Sequence, residues 1–333
     1  MKKVFSLILI ATLFLMAACG NTTSNKSGDK LEVYTTVFPF KSMIEQIGGT
    51  HVNVSSIYPN GVDIHSFEPT QKDTMKVAKS DLFIYAGEEL DQVAAKIAKA
   101  TDKKNNTVEL VKGIDEHDLL AGEEHDHEGH DHEGHDHEGH DHEGHDHEGH
   151  DHEGHAHSHG AHDPHVWLDP VLNKHFAKVI KDELIKKDKT HEKEYTANYN
   201  KLVKDIDNMD KELKDITKNK KHDTVFISHD SLGYLAKRYN FKQVGVSGMN
   251  NEEPSQSDII KMINDINKTK ASVILYEQNI PTKTVDIIKD KTKAKATPFH
   301  NMAVLTDKDK KDITYQDLMK ENIKSLDKAL NDK

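Results

Sequence analysis

The chain has 333 residues, long for one hydrophobic core, so two domains are the expectation. Its formal net charge of -12 is local: six copies of His-Asp-His-Glu-Gly between His125 and Gly154 carry six Asp, six Glu and no Lys or Arg, and without those twelve negative charges the remainder is neutral. That excludes the basic face a nucleic-acid binder needs, and a single cysteine, Cys19, excludes an internal disulfide.

Lys2-Lys3, the apolar run from Val4 to Met16, and Ala17-Ala18 predict a secretory signal over residues 1–18, too short and wrongly flanked for a spanning helix. Small residues before Cys19 resemble a bacterial lipobox, although Leu15 lies one place further from the cysteine than usual. Cleavage there makes Cys19 the lipidated first residue of the mature chain, and residues 19–30 a polar tether.

From Leu31 strands alternate with helices. Strands are expected at 31–37, 52–57, 82–85 and 107–111, with helices at 40–47, 71–79 and 88–99 between them. This is the βαβ pattern of a mostly parallel sheet, in which ligands sit in loops beyond the strand carboxyl ends. The loop after the second strand holds His65. Residues 31–190 therefore form an N-terminal α/β lobe, interrupted at 117–162 by a loop containing the repeats. Sixteen histidines fall between residues 125 and 162, interleaved with carboxylates and regularly spaced glycines. Such a composition cannot bury a core, so it is expected to be disordered and to collect divalent metal loosely.

An amphipathic run at 172–184 precedes a second one that keeps helical spacing over 192–218 without Gly or Pro. At 1.5 Å per residue the latter would reach roughly 40 Å, enough for a strut between two lobes; a helix packed along one lobe has the same pattern. The segment 191–220 is taken as the linking helix. Over 221–333 the alternation restarts as a C-terminal α/β lobe, with strands at 224–228, 243–246 and 273–276, a short segment at 296–299, and helices ending at 239 and over 256–267, 282–290 and 315–330.

Three histidines outside the repeats stand in loops or at strand ends: His65, His165 after Pro164 and before the only Trp, and His229 ending an apolar strand. Singly, each would be an ordinary hydrogen-bonded histidine. Together, beside a metal-collecting tract, they point to ligands, and imidazole nitrogens favour zinc over the harder manganese ion. A zinc hydrolase would also use three histidines, but its chemistry needs a general base beside metal-bound water, and no His-Glu-x-x-His arrangement is present.

His65-Ser-Phe-Glu68-Pro69-Thr70, Asp163-Pro-His-Val-Trp-Leu-Asp-Pro170, Ser228-His229-Asp-Ser-Leu-Gly-Tyr-Leu235 and Glu253-Pro254-Ser255 resemble the signature segments of the zinc-binding lipoproteins of bacterial ABC importers, the ZnuA and AdcA type. The resemblance runs from Leu31 to the C-terminus. It implies two α/β lobes joined by a rigid backbone helix, zinc in the interlobe cleft, and His65, His165 and His229 as ligands. It also implies a non-enzymatic, monomeric protein, held by its lipid on the extracytoplasmic face of the membrane, that hands zinc to a permease driven by a separate ATPase. Manganese-binding homologues and surface adhesins on the same scaffold are the alternative functions. Family members often add a carboxylate from a late loop; here that stretch, residues 298–307, lacks one at the expected point. His300 is the expected fourth ligand, with Glu277 or water as competitors and Glu277 otherwise a carboxylate orienting an imidazole.

Overall fold

The computed structural model describes residues 30–101, 106–122, 162–278 and 283–332. The expected signal peptide, Cys19, the tether and all of the His-rich tract except His162 lie outside the described residues.

Two four-stranded sheets of identical topology carry the chain. In the first, β1 (Leu31–Thr35), β2 (Val52–Ser56), β3 (Leu82–Tyr85) and β4 (Thr107–Glu109) lie in the order β2-β1-β3-β4, all parallel, with Leu31 opposite Val52 and Val33 opposite Leu82. In the second, β5 (Thr224–His229), β6 (Lys242–Ser247), β7 (Val273–Glu277) and β8 (Lys295–Phe299) repeat it as β6-β5-β7-β8, again parallel. Parallel strands need helical crossovers, which cover both faces; β3 is accordingly buried at every position, as Leu-Phe-Ile-Tyr.

The crossovers of the first lobe are α1 (Phe38–Gly48), α2 (Gln71–Lys79) and α3 (Gln92–Ala100). Helix α3 starts later than the expected residue 88, because Asp91 takes the N-cap and its carboxylate accepts the Ala94 backbone N–H at 2.9 Å. Pro39 in the first turn of α1 shortens β1 to Thr35, since a helix can begin there but a strand ladder loses a donor. Next come α4 (Pro170–Lys187) and the 27-residue α5 (Glu192–Lys218); α6 (Gly233–Tyr239), α7 (Gln256–Thr269), α8 (Lys283–Lys291) and α9 (Tyr315–Asn331) belong to the second half.

Helix α5 buries Tyr195, Leu202, Ile206, Met209 and Leu213 along one stripe. These residues belong to one apolar cluster that includes Val33, Phe40 and Ile44 of the first lobe and Val225, Ile227 and Leu275 of the second. Helix α9 reinforces the join: Ser42 Oγ accepts the Tyr315 backbone N–H at 3.0 Å, and Asn331 Nδ2 donates to the Ile216 carbonyl at 2.9 Å. The two lobes therefore share a core and are not two beads on a string. Smaller clusters, around Phe83 and Ile97 in one lobe and Ile274 and Ile288 in the other, fill the outer sides of the sheets.

The segment expected to be disordered from residue 117 is partly ordered. A 3-10 turn spans Glu116–Asp118, Ala121 bridges His162, and the Asp163 backbone N–H donates to the Leu120 carbonyl at 2.9 Å. The ends of the His-rich loop are thus pinned together immediately before His165.

Candidate metal centre

His65, His165 and His229 converge where the sheets meet, each bringing one ring nitrogen to within 4.8 Å of the others. Three nitrogens about 2.1 Å from a common tetrahedral zinc would lie about 3.4 Å apart, so small ring rotations suffice. The ring centroids are 4.9 Å apart for His165 and His229, and 5.5 and 5.3 Å from His65 to each of them. Among the described residues this is the single group of three or more His, Cys, Asp or Glu so placed.

Each imidazole is positioned differently. His229 is the last residue of β5 and is 1% exposed; its Nδ1–H donates to Glu277 Oε2 at 2.8 Å. Glu277 ends the neighbouring strand β7, which puts a carboxylate directly behind the ring. That carboxylate accepts from Ser231 Oγ and from Asn301 Nδ2 at 3.2 Å, and the Glu277 backbone N–H donates to Ser228 Oγ at 3.0 Å. His165, also 1% exposed, has a different carboxylate. Asp163 Oδ1 accepts both the His165 backbone N–H at 2.9 Å and its Nδ1–H at 2.8 Å. The approach of α6 to Asp163 needs a glycine, because a Cβ on Gly233 would lie 2.6 Å from Asp163 Oδ2. Trp167 packs 5.2 Å from the His165 ring, and its Nε1–H donates to the Asn301 carbonyl at 2.7 Å, closing that side across the cleft. Among the described residues no carboxylate is bonded to the His65 ring. It is half-buried on the loop after β2, where Asp63 Oδ1 accepts its backbone N–H at 3.0 Å in an Asx turn.

With Nδ1–H committed to a carboxylate, His165 and His229 offer Nε2 to an ion, the arrangement that fixes ring and tautomer in metal sites. His229 Nε2 lies 2.8 Å from the Met249 carbonyl. Burial alone would lower the His229 pKa, but Glu277 outweighs it and raises it to about 9. Burial pushes Glu277 up in turn, yet His229 holds it below the ordinary carboxylate range. His65 is pushed well below its usual value by burial and then by the other two imidazoles. A metal ion held at His229 Nε2 would therefore replace a proton and the Met249 carbonyl.

His300, expected as the fourth ligand, stands outside this group. It follows β8 as anticipated, but its Nδ1 accepts the Met302 backbone N–H at 3.0 Å and lies 2.9 Å from Gln278 Nε2, while Nε2 lies 3.2 Å from Asp309 Oδ2. Asn322 clamps its backbone through bonds to the His300 N–H and carbonyl of 2.8 and 2.7 Å. The residues from that region that line the small cavity beside the three imidazoles are Gln278, Asn301, Ala303 and Val304. Asp163 is the site residue the sequence reading passed over, although a carboxylate two places before a candidate ligand is the spacing at which one side chain can take both backbone and ring N–H.

A family model described as ZnuA, zinc-uptake complex component A, periplasmic, matches residues 33–329. The high-affinity zinc uptake system protein ZnuA of Bacillus subtilis (strain 168) is 31% identical over 99% of this chain and 98% of its own length. The zinc-binding lipoprotein AdcA of Streptococcus pneumoniae is 26% identical over 98% of this chain, which spans 60% of that longer protein. A crystal structure of the metal-dependent lipoprotein YcdH from Bacillus subtilis superposes with a TM-score of 0.69 at 27% identity, covering 90% of this chain and 99% of that one. A fold of two parallel sheets around a buried trio of imidazoles, matched over nearly its whole length, places the chain in the ZnuA family of zinc-uptake components.

Proposed function

We propose that this protein is the extracytoplasmic zinc-binding component of an ABC importer, capturing Zn2+ between its lobes and delivering it to a membrane permease coupled to an ATPase. The observation that carries the reading is the convergence of His65, His165 and His229, the last two buried with a carboxylate behind each ring. Three neutral nitrogens suit zinc better than manganese, and the two buried carboxylates behind His165 and His229 offset the charge of the ion. His65 admits and releases the metal because it alone rides on a half-buried loop. His300 holds the 300–306 loop in place through Asp309 and Met302, and a fourth position on the ion falls to water or to a group that moves in with it.

The shared core favours release by movement of the His65 loop over wide separation of the lobes. No helix of the described residues is long and apolar enough to cross a membrane. We assign membrane attachment to a lipid on Cys19, and loose zinc collection to the His-rich tract. Calorimetry on mature protein lacking residues 125–160 is expected to show one tight zinc and none of the weaker ones of the full chain. Loss of the tight zinc with the tract would overturn the assignment. Cys19→Ala is expected to free the protein from the cell envelope; undiminished membrane association would refute the anchor.

A further inference from the structure

Each sheet reverses its winding at one point, between β1 and β3 in the first lobe and between β5 and β7 in the second. The crevice beyond the strand ends at such a point is where open parallel sheets take ligands. In the second lobe it is filled from within, by His229 at the end of β5 against Glu277 at the end of β7. In the first lobe the same position opens into a cavity of about 590 Å³. Thr36 just after β1, Tyr58 just after β2 and Ala86 just after β3 line it, and it extends to His65. That is the volume of a small-molecule site, and about twenty times the share of one water in the liquid.

The walls select for chemistry. Phe40, Leu90 and Trp167 give apolar surface, and Phe67, two residues from His65, packs its ring 5.3 Å from that of Tyr58. Asp91 supplies a polar end. Its Oδ1 accepts the Tyr58 hydroxyl at 2.8 Å and the Ala94 N–H at 2.9 Å, and Thr36 lies beside the same carboxylate. These partners are all neutral: among the described residues no lysine, arginine or histidine pairs with Asp91. Burial raises its pKa, and the hydrogen bonds only partly offset this. A carboxylate so placed is stabilised by a cation brought in from outside. Asp63, Glu68 and Glu252 line the same cavity, with Lys96 the one lysine or arginine among the described lining residues, so the local field also favours a positive ligand. The metal centre next to it has room for one more donor, because three imidazoles leave one corner of a zinc tetrahedron and His300 is engaged by Asp309 and Met302.

We propose that the cavity holds a small amine-bearing chelator that enters with the zinc, one of its nitrogens filling the fourth position on the ion and its ammonium group pairing with Asp91. The metal is then taken up as a chelate and not as a bare ion. Free histidine has this chemistry: an imidazole nitrogen for zinc, an ammonium group for Asp91 and a flat ring for the aromatic wall. This rests on the importer reading and names the form of its substrate.

The test is equilibrium dialysis of the full mature protein, loaded with one equivalent of zinc, against radiolabelled L-histidine. Each protein should retain a single histidine, held at least about 10-fold more weakly when zinc is omitted. Asp91→Asn, which can still cap α3, should weaken retention about 10-fold and leave zinc affinity in histidine-free buffer unchanged. Val93→Trp, which narrows the cavity, should do the same. Imidazolepropionate, which lacks the ammonium group, should bind the zinc-loaded wild type about 10-fold more weakly than histidine. Failure to bind zinc in histidine-free buffer would sink the importer reading itself. Zinc bound without histidine, histidine held equally by the wild type and both variants, or imidazolepropionate held as tightly as histidine would overturn only the chelate.

Discussion

The two halves of the metal centre are built to different standards. His165 and His229 sit in the interior, each with a buried carboxylate behind its ring, and Asp163 and Glu277 are as buried as the imidazoles they hold. His65 comes from a loop, with only an Asx turn to shape its backbone. Two of the candidate ligands are therefore part of the polar network of the core, and the third rides on a half-buried loop outside it. A transport protein benefits from that division: a site preorganised at all three ligands would bind well and release slowly.

The largest expected effect is at the rigid pair. His229→Ala removes a ligand and leaves Glu277 buried opposite a cavity, so zinc affinity should fall by roughly 100-fold or more and the zinc-free protein should lose stability, on the order of 3 kcal/mol. Titration calorimetry reads the first and thermal unfolding in chelator the second. A normal melting temperature would show that the imidazole–carboxylate pair is not part of the core. His65→Ala sharpens the contrast, because it should weaken zinc binding while leaving the melting temperature of the zinc-free protein unchanged. At zinc concentrations near 100 times the wild-type dissociation constant, wild-type protein should gain about 2.7 kcal/mol of stability and this variant most of it should lack. A fall in zinc-free stability as large as that of His229→Ala would erase the distinction between loop and core.

Smaller effects are expected behind the ligands. Asp163→Asn and Glu277→Gln keep the shape and much of the hydrogen bonding but remove the charge and the strong acceptor. Each should cost about 10- to 100-fold in zinc affinity. Wild-type affinity in both would mean that the carboxylates serve folding alone.

The sheets were legible because βα alternation and apolar strands such as Leu82–Tyr85 announce themselves by period and composition. The convergence of His65, His165 and His229 was legible because each ends a strand or sits in a loop outside the regular elements. What the sequence does not carry is direction. Glu277 was placed behind an imidazole by its position at the end of β7, but the partner of Asp163 depends on a turn that only folding defines. The sequence predicts disorder from residue 117 onward, since no period marks the pairing of Ala121 with His162.

His300 shows the same limit and gives the last prediction. Its place after β8 brings its backbone to the cleft, yet proximity of a strand end does not fix where a ring points. Here the ring is turned toward Asp309, which also accepts the Thr306 N–H at 2.6 Å and hydroxyl at 2.9 Å, so imidazole, carboxylate and backbone close the 300–309 loop on itself. Burial lowers the His300 pKa, and Asp309 only partly offsets it, so the ring is neutral near pH 7 and its bond to Asp309 is that of an Nε2–H donor, not of an ion pair. A neutral donor with its other nitrogen occupied by the Met302 N–H has no lone pair left for zinc. His300→Ala, made in protein lacking residues 125–160 so that no tract histidine substitutes, should leave zinc affinity unchanged and lower stability by about 1–2 kcal/mol, the scale of one or two lost hydrogen bonds. A tenfold loss of zinc affinity without loss of stability would instead make His300 a ligand that reaches the ion only when zinc is bound.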